Sequence, residues 1–407
     1  MMNVAIIGGG AAGFFAAIAV KENYPAAKVV IYEKSERVLS KVKISGGGRC
    51  NVTNGCTSIP ELCKAYPRGG KELKKPFHIF NTKHCMEWFE GRGVPLVTQE
   101  DNCVFPQSQD SQSIIDCFFQ ECSRLIIKIE REKAVTSIQQ TEQQLEITFE
   151  NNGISPIKYD KVIVTTGGSP KLHGLAWLEK LGHKIENPVP SLFTFKMQKQ
   201  PITQLMGVVV ENVLVGIQGS KFKADGALLI THWGMSGPAT LKLSSYGARH
   251  LNELNYKFKI QVNWANEANN DNVFAELESI AKKHPNKLIT NNRPYEIPTR
   301  LWLYLLEKCE LPATKNWGDV GKKGMNKLTN ILTNDIYDVD GRTTFKEEFV
   351  TCGGVSLSSV DMNTMQSKAC PNLYFAGEVL DIDAITGGYN LQAAWTTAFI
   401  AAKLIDS

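Results

Sequence analysis

The chain has 407 residues, of which 43% are hydrophobic and 21% are charged, and its formal net charge is +4. These values are ordinary for a soluble globular protein of two or three domains, and so mild a charge gives no reason to expect a nucleic-acid partner. The ten cysteines form no Cys-x-x-Cys pair, and there is no export signal and no apolar run of about 18 residues. The sequence therefore predicts a cytoplasmic protein without a metal site or a membrane contact.

The first 34 residues predict a strand, a glycine turn, a helix and a second strand. In the turn GGGAAG, Gly8, Gly10 and Gly13 fit the G-x-G-x-x-G spacing, and Glu33 ends the second strand. Such glycines let backbone N–H groups approach a pyrophosphate at the positive end of a helix, and the acid binds ribose hydroxyls. The pattern predicts a dinucleotide site, although a glycine turn without a ligand is the alternative. A carboxylate at Glu33 disfavours a 2′-phosphate ligand of the NADP type.

The next 130 residues or so read as a loop followed by alternating short elements. We predict a loop at 40–55, helices at 82–91 and 111–122, and strands at 94–97, 102–105, 134–139, 145–150 and 161–165. The last strand runs into Thr166-Gly167-Gly168. Small residues after a strand are expected where an FAD passes close to the backbone.

The middle of the chain has a different texture. Residues 191–265 alternate on a two-residue period, which predicts an antiparallel sheet or small barrel, and 271–335 have helical periodicity, with helices at 300–307 and 325–332. Strand character returns near 344–350. We therefore predict an α/β fold: a discontinuous Rossmann-like FAD-binding domain (1–190 and 346–407), an inserted antiparallel β-barrel (191–270 and 336–345) and a helical subdomain (271–335).

The carboxyl-terminal region carries a second glycine-rich pattern. A strand at 372–376 leads into Gly377-Glu378, and Gly387-Gly388 opens an alanine-rich helix. A flavin site needs a glycine beside the ribityl-phosphate, a nearby acid and a helix amino terminus near the flavin pyrimidine. A plain helix start is the alternative for Gly387-Gly388, but it predicts no matching motif at the other end of the chain.

The loop at 45–54 has three glycines that bring backbone next to a flat or anionic group. Arg49 could neutralise a phosphate or a reduced flavin, and Asn51, Thr53 and Asn54 offer neutral hydrogen bonds. Cys50 has two readings, a redox thiol and a small buried thiol, and the second is favoured because no resolving cysteine stands nearby.

Three residues are candidates for chemistry on a substrate. His232 would be the proton donor or acceptor beside a hydride transfer, and Ser236 stands close to it in the same turn. Local hydrogen bonding within the turn explains His232 and Ser236 equally well. Tyr389 is the third candidate, and plain aromatic packing is its alternative.

Segments along the whole chain resemble one bacterial family, the aminoacetone-oxidase-like FAD-binding flavoproteins. The matching stretches are GGGAAG (8–13), KVKISGGGRCNVTN (41–54), TTGGSP (165–170), THWGMSGPATLKLS (231–244), TCGGVSL (351–357) and GEVLDIDAITGGYNLQAAW (377–395). The resemblance implies a Rossmann-like FAD domain interrupted by a β-barrel and a helical subdomain. One departure is that Leu39-Ser40 stand where many relatives carry Gly-Arg. Family activities range from amine oxidation to reduction of unsaturated bile-steroid intermediates, so membership leaves the substrate open.

The predicted cofactor contacts combine the motifs with what the resemblance implies. They are Gly8, Gly10, Ala12, Gly13, Glu33, Lys34, Lys41, Gly48, Arg49, Cys50, Asn51, Val135, Thr166, Gly167, Gly377, Glu378, Asp381, Gly388, Asn390 and Leu391.

These features predict an FAD-dependent oxidoreductase that performs hydride transfer on a small molecule, either an amine or imine or an enone such as an unsaturated steroid. No second G-x-G-x-x-G with a flanking strand is present, since Gly318, Gly321 and Gly324 have the wrong spacing. NAD(P)H would therefore dock transiently, or the substrate would supply the electrons. A non-catalytic flavin-binding sensor or scaffold is the alternative. An FAD-dependent RNA-modifying enzyme is disfavoured because aromatic-basic stripes are missing. The oligomeric state and the choice between NADH and NADPH stay open.

Overall fold

The computed structural model describes residues 1–150, 154–343 and 350–405. The strands, in chain order, are β1 (Asn3–Ile7), β2 (Lys28–Tyr32), β3 (Thr53–Asn54), β4 (Leu96–Thr98), β5 (Cys103–Pro106), β6 (Lys128–Glu130), β7 (Val135–Gln140), β8 (Leu145–Phe149), β9 (Ile157–Tyr159), β10 (Lys161–Val164), β11 (Ile185–Ser191), β12 (Phe195–Lys196), β13 (Val209–Ile217), β14 (Lys223–Thr231), β15 (Gly234–Ser236), β16 (Phe258–Asn263), β17 (Asp335–Val339), β18 (Gly341–Arg342), β19 (Val350–Val355), β20 (Val360–Asp361), β21 (Gln366–Ser367) and β22 (Leu373–Phe375).

The α-helices are α1 (Ala11–Asn23), α2 (Ser40–Ile44), α3 (Ile59–Lys64), α4 (Lys74–Ile79), α5 (Thr82–Glu90), α6 (Gln112–Arg124), α7 (Ala176–Glu179), α8 (Pro238–Tyr246), α9 (Ala248–Glu253), α10 (Asn270–Lys283), α11 (Thr299–Lys308), α12 (Gly321–Thr333) and α13 (Tyr389–Ala401). Short 3-10 turns lie at Ser45–Gly48, Leu172–Leu175, Pro201–Leu205, Pro294–Glu296, Trp317–Asp319, Leu357–Ser359 and Gly377–Val379. Among the described residues, every helix is too short or too polar to span a bilayer.

The chain forms two compact units, Met1–Ser191 with Phe345–Ser407, and Leu192–Thr344. The first unit is built on a seven-stranded sheet of order β20-β21-β22-β10-β1-β2-β6. Its five strands from β22 to β6 run parallel, with Ile7 opposite both Val164 and Tyr32. A parallel sheet is covered on both faces, which is why its strands are continuous apolar runs.

Two apolar helices pack together over this sheet. Helices α1 and α13 lie against each other, and nearly every residue from Ala12 to Val20 and from Gln392 to Ala401 is buried. A helix that is apolar all round has to be buried on all sides. The helices near the two ends of the chain therefore belong to one core. The two glycine-rich motifs predict this arrangement.

The connections at β1 define where a ligand can lie. From β1 the chain passes through α1 to β2 on one side, whereas β10 pairs with β1 on the other. Ligands of open parallel sheets bind at such a switch point, outside the carboxyl ends of the strands. Gly8, Glu33, Thr165 and Ala376 directly follow β1, β2, β10 and β22, so the sheet brings all four predicted segments to one edge.

The second unit is an antiparallel sheet with helices. Its strand order is β17-β16-β13-β14-β15-β12-β18, and the two edge strands are separated in the chain by Asp340 alone. The chain therefore passes from one edge strand of the sheet to the other within one residue, and closure into the inserted barrel stays a prediction. Helices α10, α11 and α12 follow the predicted helical periodicity, with Val273 and Leu277 on the buried stripe of α10.

The structure differs from the predicted elements in three places. Residues 238–253 form α8 and α9 instead of strands, because Pro238 starts a helix well and the buried Ala239 and Leu243 are four residues apart. The predicted loop at 40–55 contains α2 and a 3-10 turn. Of the strand predicted near 344–350, residues 344–349 lie outside the described residues, and Val350 begins β19.

Candidate active site

The glycine turn after β1 forms a tight cradle with one open side. A Cβ atom on Gly8, whose φ is +116°, would lie 2.4 Å from the Thr165 carbonyl oxygen, and one on Gly13 would lie 1.9 Å from the Gly8 carbonyl oxygen. A Cβ on Gly10 would meet no heavy atom of the described chain within 4 Å. Gly8 and Gly13 are therefore needed for packing within the chain, whereas Gly10 faces free space at the amino terminus of α1. A pyrophosphate needs this combination.

Glu33 lies at the rim of this cradle. Its carboxylate accepts hydrogen bonds from the backbone N–H of Gly9 at 2.8 Å and of Ser35 at 2.9 Å, and from the Ser35 hydroxyl at 2.8 Å. The bond to Gly9 places the acid within one residue of the predicted phosphate turn, as binding of the adjacent ribose demands. Lys34, the next residue, is exposed.

Val135 belongs to the same rim. The backbone N–H of Lys133 donates to the Glu33 carbonyl at 2.8 Å, and β7 begins two residues later at Val135. Val135 is therefore two residues from a backbone bond to Glu33, and its contact with a cofactor stays a prediction.

The departure at Leu39 has a backbone consequence. Leu39 takes a φ of +56°, a left-handed conformation that suits glycine, and its N–H donates to the Gly9 carbonyl at 2.8 Å. A leucine in this conformation costs about 1–2 kcal/mol. The contact with the glycine turn is kept, although the residue type is unfavourable.

The segments around Lys41, Gly168 and Glu378 meet. The Lys41 ammonium lies 2.6 Å from one Glu378 oxygen, and the other oxygen accepts the Thr351 N–H at 2.9 Å. A Cβ on Gly168 would lie 2.8 Å from that second oxygen. Gly377, just before the acid, approaches α1, because its Cβ would lie 2.8 Å from the Ala12 Cβ. The predicted contacts at Thr166 and Gly167 belong to this region, since Thr166 also abuts Gly8.

The loop at 45–54 is fastened to the start of α13. The Asn54 amide donates to the Gly387 carbonyl at 3.0 Å, and the Trp395 indole N–H donates to the Val52 carbonyl at 2.9 Å. Gly388, with a φ of +86°, brings its Cα so close that a Cβ would lie 2.2 Å from the Thr53 carbonyl oxygen. Two predicted flavin segments more than 300 residues apart therefore form one surface.

Five further predicted contacts lie on or next to this surface. The Asn51 side-chain oxygen accepts the Val104 N–H at 3.2 Å, and the Asn390 amide closes a turn on the Ala384 backbone at 2.9 and 3.2 Å. Leu391 is half-buried against the core, and Asp381 is half-buried beside the turn. A Cβ on Gly48 would meet no described atom within 4 Å, so Gly48, like Gly10, borders free space.

Arg49 and Cys50, the other two predicted contacts in this loop, interact mainly with the protein itself. The Arg49 guanidinium stacks on the Phe105 ring, 4.1 Å from its centroid, and donates to the Gln109 side chain at 3.2 Å. Cys50 is fully buried, and burial raises the pKa of its thiol to about 12. A thiol of that pKa is protonated at neutral pH and is a poor nucleophile. The burial supports the reading of Cys50 as a small structural thiol.

A buried ion pair lies behind the carboxyl-terminal motif, and sequence reasoning missed it. Asp383 is fully buried; it accepts from the Arg68 Nε at 2.5 Å, from a second Arg68 nitrogen, and from the Ser191 hydroxyl at 2.8 Å. Burial raises the pKa of Asp383, and the neighbouring guanidinium opposes that shift. Asp383 lies inside the recognised motif, but nothing in the sequence links it to Arg68, 315 residues away.

The segment that carries Arg68 also makes hydrogen bonds to the backbone of the carboxyl-terminal motif. The Tyr66 hydroxyl donates to the Tyr389 carbonyl at 2.6 Å, and the two rings lie edge to face at 6.2 Å. The Ile385 N–H donates to the Ala65 carbonyl at 2.9 Å. The turn before α13 is thus held from one side by three residues of a single short segment.

The candidate proton donors fall in different units. His232 and Ser236 share the β14–β15 hairpin of the second unit, whereas Tyr389 starts α13 in the first. His232 is exposed, with its ring 4.5 Å from the Trp233 ring, and the Ser236 carbonyl accepts the Thr240 hydroxyl at 3.3 Å. The structure therefore brings together the cofactor candidates of the first unit, and separately His232 with Ser236. Within the described ranges no cluster of three metal-ligating side chains occurs.

The parallel sheet, the glycine cradle, the acid that follows β2 and the second glycine segment at the same edge are typical of an FAD-binding Rossmann-type flavoprotein. The residues fit the cofactor because free space opens where Gly10 and Gly48 face out of the chain. More narrowly, the chain belongs to the HI0933-like family, because the model described as "HI0933-like protein Rossmann domain" matches residues 2–404.

Comparisons with known proteins agree with this assignment. The chain is 26% identical to a 3-dehydro-bile acid delta(4,6)-reductase of Clostridium scindens, covering 99% of this chain and 98% of the relative. It is 28% identical to a ribosomal RNA dihydrouridine synthase of Escherichia coli, covering 98% and 96%. A 3-ketosteroid-delta4-(5alpha)-dehydrogenase from Rhodococcus jostii RHA1 has the same fold, with a TM-score of 0.51, 12% identity, and coverage of 98% and 97%. The protein is therefore a flavin-dependent oxidoreductase.

Proposed function

We propose that this enzyme reduces a carbon–carbon double bond that is conjugated to a carbonyl group. The observation that carries the proposal is that both full-length relatives are named for such a reduction. A delta-4,6 double-bond system in a 3-keto steroid is a dienone, and the 5,6 double bond of uridine is conjugated to the C4 carbonyl. In both, a hydride adds to an electron-poor carbon of the conjugated system, which is the β-carbon of an enone or the δ-carbon for the outer double bond of a dienone. A proton then adds to a carbon of the resulting enolate, such as the α-carbon.

When bound, FAD supplies the hydride. We assign its pyrophosphate to the Gly10 side of the cradle and its adenosine ribose to Glu33, on the free space and the 2.8 Å bond to Gly9 described above. Gly388 and the amino terminus of α13 would stabilise negative charge on the flavin pyrimidine. The remaining predicted contacts are kept as candidates for the same cofactor, including Lys41 and Glu378.

The α-carbon of the substrate needs a proton, and we propose that one of His232, Ser236 and Tyr389 delivers it or holds the water that does. His232 is the first candidate for this step, because its side chain is exposed and imidazole is the commonest general acid and base in enzymes. If the His232→Gln enzyme still accepted electrons into the flavin but no longer reduced the substrate double bond, the result would support His232 as the proton donor. An unchanged rate would remove His232 from the candidates.

The domain boundaries are part of the proposal. We propose an FAD domain at 1–190 and 346–407, a barrel at 191–270 and 336–345, and a helical subdomain at 271–335. The division of the chain at Ser191 and near Thr344 supports the outer boundaries.

Amine oxidation of the aminoacetone-oxidase type is the second candidate activity. It rests on the sequence resemblance alone, since neither relative above is named for it.

The reduction is tested with the purified yellow enzyme under anaerobic conditions. We expect NADH or NADPH, docking transiently, to bleach the flavin absorbance in stopped flow. A 4,6-dien-3-one steroid or a uridine-containing RNA should then restore it faster than an imine does. Reoxidation by the imine alone would favour the amine-oxidising alternative, and reoxidation by neither conjugated substrate would refute the proposal.

Glu33→Ala should weaken FAD binding. Loss of hydrogen bonds from a charged acceptor costs about 1.5–3 kcal/mol, or roughly ten- to hundredfold in the FAD dissociation constant. The measurement is flavin absorbance per chain after gel filtration, together with FAD titration of the apoprotein. Glu36→Ala, at an exposed acid three residues away, is the control and should stay loaded. A fully loaded Glu33→Ala protein would refute the ribose assignment.

A further inference from the structure

Six lysines gather at one end of the α10–α12 helix pair in the second unit. Helix α10 ends at Lys283, and the following segment pairs with residues 315–318: the Gly318 N–H donates to the Pro285 carbonyl, the Trp317 N–H to the Lys287 carbonyl, and the Ile289 N–H to the Lys315 carbonyl, each at 2.9 Å. Helix α12 begins directly afterwards at Gly321. The end of α10 and the start of α12 therefore lie side by side. We call the cluster formed by Lys282, Lys283, Lys287, Lys315, Lys322 and Lys323 the lysine end.

The lysine end carries an excess of positive charge. Five of its six lysines are exposed, and Lys315 is half-buried. Two acids stand within or next to these segments: Glu278, whose carboxylate lies 3.5 Å from the Lys282 ammonium, and Asp319. A third acid, Glu310, has its pKa lowered mainly by Lys327, with which it forms an ion pair, and only to a lesser degree by Lys323.

Fold stability does not explain the lysines of α12. Lys322 and Lys323 lie in the first turn of a 13-residue helix that has no acid in that turn and no side-chain cap. Positive charge at a helix amino terminus is repelled by the helix dipole, whereas acids there are stabilising. Lys282 and Lys283 differ, because at the carboxyl end of α10 lysines favour their own helix. The α12 pair is better explained by an anion that lies outside the chain.

We propose that the lysine end binds the phosphate backbone of RNA. Its charges come from four segments and so face several phosphates of a polyanion at once, and lysine binds phosphate as a mobile point charge. The second unit as a whole holds 19 lysines and arginines against 14 aspartates and glutamates. The inference rests on the proposed function, since it identifies the reducible group as a uridine carried by RNA, the substrate class in the name of one full-length relative.

The test compares two matched lysine pairs in the FAD-loaded full chain. K322E/K323E changes the first turn of α12, and K74E/K75E makes the same charge change at two exposed lysines in the first turn of α4, in the first unit. The probe is a fluorescein-labelled RNA hairpin with a uridine loop, and binding is followed by anisotropy over a range of salt concentrations, without turnover.

We expect K322E/K323E to bind the hairpin at least about tenfold more weakly and to lower the slope of log affinity against log salt by about 1.4–1.8. Its melting temperature should stay the same or rise, because glutamates suit a helix amino terminus. K74E/K75E should bind like the wild type. K287E, in the segment between the helices, gives a second measurement and should also weaken binding.

Three results would overturn the inference: unchanged RNA affinity in K322E/K323E, an equal loss in K74E/K75E, or wild-type binding to phosphatidylserine vesicles with none to RNA. The outcome is separate from that of the proposed function. The proposed function fails if neither a steroid dienone nor a uridine-containing RNA reoxidises the wild-type flavin, whereas the present inference fails on the anisotropy results. Where a steroid dienone does reoxidise the wild-type flavin, K322E/K323E should react with it at the same rate.

Discussion

The Gly10→Ala protein is expected to fold normally and to purify with little bound FAD. The new methyl group would meet no described atom of the chain within 4 Å, so it would occupy the space that we assign to the pyrophosphate. Intrusion of this size costs about 1–3 kcal/mol, or roughly ten- to hundredfold in affinity. The measurements are flavin absorbance per chain and thermal unfolding of the apoprotein, which should change little.

Gly13→Ala is the matched comparison, because the same methyl group collides with the chain itself. Its Cβ would lie 1.9 Å from the Gly8 carbonyl oxygen, so α1 would be pushed away from β1. Gly13→Ala should therefore lose both FAD and apoprotein stability, whereas Gly10→Ala should lose FAD alone. A Gly10→Ala protein that retains wild-type FAD affinity would show that the dinucleotide does not lie in this cradle.

Asp383→Asn is expected to have the largest effect on stability. The change leaves the Arg68 guanidinium, whose side chain is only 12% exposed, beside a neutral amide. Removing one partner of a buried ion pair typically costs about 3–5 kcal/mol, because the remaining charge stays buried without compensation. The free energy of unfolding from urea denaturation of the apoprotein measures the loss. FAD titration shows whether the turn before α13 also loses its shape.

Glu61→Gln gives the control for Asp383→Asn. Glu61 and Lys64 form an ion pair with an N–O distance of 2.7 Å, but both side chains are more than half exposed. Exposed pairs of this kind contribute about 0–1 kcal/mol. If the two variants lost the same small amount of stability, the Arg68–Asp383 pair would not be the brace that the structure indicates.

The dinucleotide half of the site could be predicted because its determinants are local. The turn from Gly8 to Gly13 and the acid at Glu33 act through backbone geometry within one βαβ unit, and that geometry follows from residue type and spacing. The strands β7 and β8 and the helices α5, α6 and α11 agree with the predicted bounds within a few residues for the same reason: each buries one periodic apolar face.

Features that depend on segments distant in the chain were not predicted. The bond between Arg68 and Asp383 spans 315 residues, and an isolated arginine in a loop carries no periodic signal. The two-residue alternation over 191–265 predicts strands where α8 and α9 lie, because short apolar runs fit either structure until their packing is known. The near-neutral total charge hid the lysine end, since a sum over the chain does not record where charges meet.

The amino-acid sequence by itself determined the class of protein, a flavoprotein with an FAD-type cradle, because glycine positions and one acid dictate what a backbone turn can bind. Only the tertiary structure decided which distant residues support that turn and where positive charge accumulates. Both depend on how the sheet and helices bring segments that are distant in the chain into contact. Where such a contact is a buried ion pair, removing one partner is costly.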